Sequence, residues 1–134
     1  MKKLNITEKI KSFEDACEFL GLDPNELPAV DNLPEKDRKS ITAYYKLIII
    51  TRAINQGWEP IWSDTKEYKW WNYFYTSSAS GFVCSNADYA STDSGIGSRL
   101  CFKARELAEY ARKQFEQLYL EYLYITIPQV DPEN

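Results

Sequence analysis

The stretch from Pro34 to Gln56 constrains the fold more than any other part of the chain. Ile41, Tyr44, Tyr45 and Ile48 recur at helical spacing, and Leu47, Ile50 and Ile54 widen the stripe. Taken alone, "LIIIT" is rich in β-branched residues and reads as a strand. The spacing continues unbroken on both sides of it, so a long helix is expected instead. Pro34 suits the first turn, Glu35 and Asp37 complement the positive end of the dipole, and Gly57 stands where a C′ residue is wanted. A helix apolar over so much of its circumference must be covered on several sides. The rest of the chain is therefore expected to wrap around it.

The flanking elements follow from local signals. "SFED" opens a short helix with Ser12 as cap and Asp15 in the reciprocal position; Phe13, Ala16, Cys17 and Leu20 share a face, and Gly21 ends it. "LDPNELPAVDNLPEK" is a proline-rich connector, and "WEPIWSDTKEY" a turn region. Tyr68–Tyr75 and Ser80–Asn86 read as a hairpin across "TSSAS", "ADYASTDSGIG" as a polar loop, and Ser98–Phe102 as a third strand. A final helix is expected from Ala104 to Tyr124, with Leu107, Ala111, Phe115, Leu118 and Tyr122 inward and a Glu109–Lys113 pair outward. The expected fold is a single α+β domain over residues 1–134, with an ordered core at 10–126 and a tail at 127–134. Its small antiparallel three-stranded sheet packs against two long helices, with a short N-terminal helix beside them.

Composition removes several function classes. A chain of 134 residues, 44% hydrophobic and 27% charged, is that of a globular domain able to bury a core. Histidine is absent, which takes away the commonest general base, nucleophile activator and zinc ligand. Cys17, Cys84 and Cys101 have neither a disulfide framework's nor a zinc site's spacing, and buried free thiols are expected. Asp88 and Asp93 lack the calcium-loop pattern, and Gly95–Arg99 lacks the strand-then-helix setting of a phosphate loop. No enzyme, metal or cofactor is expected. The net charge of −4 disfavours nucleic acid, the longest apolar run is far short of a membrane span, and the N-terminus does not read as a signal peptide.

Aromatic residues make up 15% of the chain, and half of them lie between Trp58 and Tyr89. In "KWWNYFYT" alternation separates Trp70 and Phe74 from Lys69, Trp71, Tyr73 and Tyr75. Phe74 has no polar handle and belongs inside, which turns Trp70 inward too. Lys69, Trp71, Tyr73 and Tyr75 are left on the other side, either as an outward binding face of amphipathic rings with a lysine beside them or as a second layer of core covered by the N-terminal helix. Trp58 and Trp62, which flank Pro60, either clamp the long helix onto the sheet or form an aromatic slot. Arg99 is a further candidate contact, and Tyr119, Leu120, Leu123 and Tyr124 form a second apolar stripe on the last helix, suited to an interface.

The segments "LPEKDRKSITAYYKLIII", "INQGWEPIW" and "IGSRLCFKARELAEYARKQF" resemble a family of short uncharacterised proteins encoded by phages and prophages of Bacteroidetes hosts. The similarity spans about residues 12–124 and is most specific over Gly97–Ala111. Members often carry Ser or Thr before "RELAEY"; here that position is Ala104, without a capping hydroxyl. The resemblance implies a viral origin and a place in the host cytoplasm or the virion, and it supplies no activity or site. The expected function is a non-enzymatic phage protein acting through protein–protein contact, as a virion component or a self-assembling accessory. Two alternatives stand beside it. One is single-stranded nucleic-acid binding, with Trp71, Tyr73 and Tyr75 stacking bases and Lys66, Lys69 and Arg99 attracting phosphate. The other is binding of a small molecule or host factor as an anti-defence protein.

Overall fold

The structure, a computed structural model, describes residues 5–76, 83–91 and 99–127. The elements in order are α1 (Ile6–Lys9), α2 (Phe13–Leu20), α3 (Glu35–Ile54), β1 (Lys69–Thr76), β2 (Val83–Ala90), α4 (Arg105–Gln114) and α5 (Glu116–Leu123). "LIIIT" lies inside α3, where continuous helical spacing prevails over β propensity. The buried stripe is Leu47, Ile50 and Ile54 with Ala43 and Ala53, while Ile41 is 43% exposed and Tyr44, Tyr45 and Ile48 are half-buried. The two stripes read from the sequence therefore exchange roles: the first is a flank, and the second is the core.

Side-chain caps begin the first two helices. The Ser12 hydroxyl accepts from the Asp15 amide at 3.0 Å, and Gly21 closes α2 at φ +72°. The Asp15 carboxylate in turn accepts from the Lys11 amide. Before Ser12 lies α1, a single turn capped by the side chain of Asn5, which the sequence reading passed over. Its Ile6 and the following Ile10 enter the core with Phe13, Ala16 and Cys17. In the connector, the Arg38 guanidinium donates to the carbonyls of Asp31 and Leu33 and holds the chain against the start of α3.

The sheet is smaller than expected. β1 and β2 form an antiparallel pair in which Trp70 faces Tyr89 and Asn72 faces Ala87. β2 continues to Ala90, into the segment expected to be loop. The expected third strand is reduced to one bridge, Trp70 with Phe102, whose amides and carbonyls exchange two hydrogen bonds. It goes no further because Ala104 already stands at the N-cap of α4, the chain bends at Leu100, and Asn55 occupies the backbone on the far side. The Asn55 amide donates to the Cys101 carbonyl at 2.9 Å, and its oxygen accepts from the Lys103 amide at 3.2 Å. Residues 77–82, which hold the "TSSAS" turn after Thr76, residues 92–98 and the tail from 128 lie outside the described residues.

The last helix is also broken. Phe115 leaves helical geometry at φ −117°, ψ 26° and separates α4 from α5, with neither glycine nor proline to cause it. Packing supplies the reason. α4 lies against both strands, whereas α5 packs along α3, and one straight helix would not reach both. The Phe115 ring is buried at the bend and meets Tyr110 edge-on. The Tyr110 hydroxyl donates to the Ile10 carbonyl, and the Gln114 amide to that of Lys11, so α4 also holds the α1–α2 junction. Glu109 pairs with Arg105, one turn before it, rather than with Lys113. The expected packing of two long helices on one face of the sheet is corrected: α3 packs on α2 and α5, and α4 connects to the sheet.

Candidate functional site

Alternation along β1 is borne out for the helix-facing side. Trp70 and Phe74 pack against the core, with Phe74 5.4 Å from Tyr119 and Trp70 4.9 Å from Tyr89 between ring centroids. Asn72, between them, donates to the Ala108 carbonyl at 2.9 Å and to the Tyr119 hydroxyl at 3.3 Å. That buried hydroxyl is held neutral, its pKa pushed up to about 12 chiefly by desolvation.

The outer side is covered in a gradient. Lys69 is 0% exposed, Trp71 is half-buried, Tyr73 is 36% exposed and Tyr75 51%. The residues after Pro60 fold back over the β1 start and close that end. The Lys69 ammonium donates to the carbonyls of Ile61 (2.6 Å), Asp64 (3.0 Å) and Ser91 (2.6 Å), using all three of its protons. The Glu67 carboxylate lies 3.4 Å away, and the Trp62 ring is 5.2 Å from the nitrogen. The outward placing of Lys69 is therefore corrected. Its parity was read correctly, but a loop covers the face at that point, and the buried cation is satisfied by peptide oxygens. Trp71 is half-buried rather than exposed, as Trp70 on the other side is.

What remains open is the distal part of the face. Tyr73 and Tyr75 stack at 6.1 Å with 25° between ring planes, beside exposed Asn86 and Asp88 on β2. No helix among the described residues is laid over this side. The stripe expected on the last helix divides: Tyr119 (3% exposed) and Leu120 (0%) are core, Tyr124 is half-buried, and Leu123 remains open at 49%. The bend at Phe115 explains this, since it turns Tyr119 and Leu120 into the body of the protein. Extending the α4 periodicity across the bend places them wrongly.

The structure brings two other candidates, Trp58 and Arg99, to one place. A cleft of about 430 Å³ lies between Leu20 of α2, the last turns of α3 and the Gly57–Pro60 turn, with Arg99 and Cys101 on its far wall. Gly57 at φ +88° reverses the chain beneath it, a conformation that a side chain would strain. Asn55 holds the far wall through Cys101 and Lys103, a role the sequence did not reveal. Arg52 and Glu59 stand at the rim and Thr51 below; the Thr51 hydroxyl is buried with no hydrogen-bond partner among the described residues. Trp62 is not in this wall; it covers Lys69 instead.

The thiols of Cys17 and Cys101 are buried, and desolvation raises both pKa values, Cys101 to about 11. The Cys84 side chain lies outside the described residues. Among the described residues no helix is long and apolar enough to cross a membrane, and no cluster of acidic or thiol side chains is placed to hold a metal. Comparison with protein families, curated proteins and solved structures gave no match to this chain.

Proposed function

We propose that this is a non-enzymatic, phage-encoded protein that works through protein–protein contact, with the open end of the hairpin face seated on a second copy of the chain. The observation that carries the reading is the stacked Tyr73–Tyr75 pair on a sheet side that no described helix covers. Rings that are apolar in body and polar at the tip suit a surface that is wet in the monomer and dry in the assembly. Against the single-stranded nucleic-acid alternative, Lys69 is enclosed and Arg99 belongs to the cleft, while Asp88 stands on the face. A phosphate backbone would there meet a carboxylate, with Lys69, the cation of that side, enclosed.

Analytical ultracentrifugation over a range of micromolar concentrations tests the reading. Self-association that is lost in Tyr73→Ser/Tyr75→Ser, with the melting temperature kept, supports it. A wild-type chain that stays monomeric throughout overturns it. Salt-sensitive binding of a labelled oligonucleotide, lost in the same variant, would favour the nucleic-acid reading instead.

A further inference from the structure

We propose that the cleft beside α3 binds a nucleoside phosphate, at a site separate from the hairpin face. The cleft volume, about 430 Å³, is within the range that takes one small organic molecule. Its chemistry narrows the class. Arg52 and Arg99 both border it, and neither has a carboxylate partner among the described residues. Two guanidinium groups against the one carboxylate of the lining, Glu59, leave the opening with a positive balance that suits an anion. Planar forks of this kind suit phosphate oxygens, which accept two parallel N–H bonds.

The remaining wall excludes a bare inorganic anion as the best occupant. Trp58 contributes an indole, and Leu20 and Ile48 an apolar floor, so the site has a place for a flat, largely apolar ring. The Glu59 carboxylate offers the same ligand an acceptor for a hydroxyl or amino group. A nucleoside phosphate supplies the anion, the stacking ring and the hydroxyl or amino donors in one molecule.

Thr51 is an independent indication. It is 2% exposed, it borders the cleft, and its hydroxyl is unpaired. An unpaired buried hydroxyl is destabilising, and a ligand group that reaches it relieves that cost.

Isothermal titration calorimetry of the full chain tests this, using the four common nucleoside 5′-monophosphates, their 3′,5′-cyclic forms, the free nucleosides and inorganic phosphate. At least one nucleotide should bind with clearly higher affinity than inorganic phosphate or its own nucleoside. The cyclic and linear forms distinguish a diester from a monoester as the preferred group. Arg52→Gln and Arg99→Gln should each weaken nucleotide binding roughly 10–100-fold. Trp58→Leu should weaken it while leaving weak inorganic phosphate binding in place. Because these side chains lie at the surface of the cleft, circular dichroism should show all three variants folded. Tyr73→Ser/Tyr75→Ser should bind nucleotide like wild type, which separates this outcome from that of the hairpin face. Absence of binding by any nucleotide at millimolar concentration overturns the proposal, as does binding unaffected by loss of both arginines.

Discussion

Replacing Lys69 with methionine keeps a long apolar stem and removes the ammonium. In the folded protein that ammonium donates to three carbonyls, those of Ile61, Asp64 and Ser91, at 2.6–3.0 Å. Hydrogen bonds to a charged group contribute about 1.5–3 kcal/mol each, so the gross loss is roughly 5–9 kcal/mol. Two effects reduce it. Burying the ammonium costs several kcal/mol, which methionine does not incur. Ile61 and Asp64 are exposed, so their carbonyls regain water once the loop lifts. The net destabilisation expected is about 2–4 kcal/mol, which for a chain of this size lowers the melting temperature by about 10 °C. Urea unfolding followed by tryptophan fluorescence measures it, with Lys66→Met as control. Lys66 is exposed, and its replacement should stay within about 0.5 kcal/mol of wild type. Amine labelling of the native protein gives a second readout, in which Lys69 should react far more slowly than Lys66. If the two methionine variants unfold alike and the two lysines label alike, Lys69 points to solvent and the covered end of the hairpin face is wrong.

Three further outcomes are expected. Trp70→Ala should cost about 2–3 kcal/mol, less than a fully buried tryptophan, by removing the ring that meets Tyr89 and Arg105, whereas Trp71→Ala should cost about 1 kcal/mol; paired chemical denaturation curves compare them. Ala104→Ser should stabilise by about 0.5–1 kcal/mol, because Ala104 already has extended N-cap geometry (φ −146°, ψ 148°) and only the hydroxyl is missing; a thermal melt measures this. Stability should be full below about pH 9 and fall as pH rises from there toward 11–12, since Cys101 and Tyr119 keep their protons in the folded state after the unfolded chain has lost them. Urea midpoints across that window check it, and a midpoint independent of alkaline pH would contradict the burial of both groups.

Signals carried within a turn or two of chain were legible in the sequence. Ser12 and Gly21 bound α2, the unbroken spacing through "LIIIT" made α3 a helix, and alternation sorted Trp70 and Phe74 from Trp71, Tyr73 and Tyr75. Each depends on geometry that neighbouring residues impose on one another, so the order of residues is enough to show it. Tertiary structure alone decided what covers each face. Lys69 has the parity of the open side, yet the loop after Pro60 encloses it, because backbone oxygens from distant segments converge on its ammonium. Phe115 bends a helix that no local breaker interrupts, because one half must meet the sheet and the other α3; Tyr119 and Leu120 go inside as a result. Asn55 reads as an ordinary helix-end residue until the Cys101–Lys103 backbone comes within its reach. The cleft arises in the same way, because Arg52, Trp58 and Arg99 meet only when the end of α3, the turn after it and the segment before α4 are packed together.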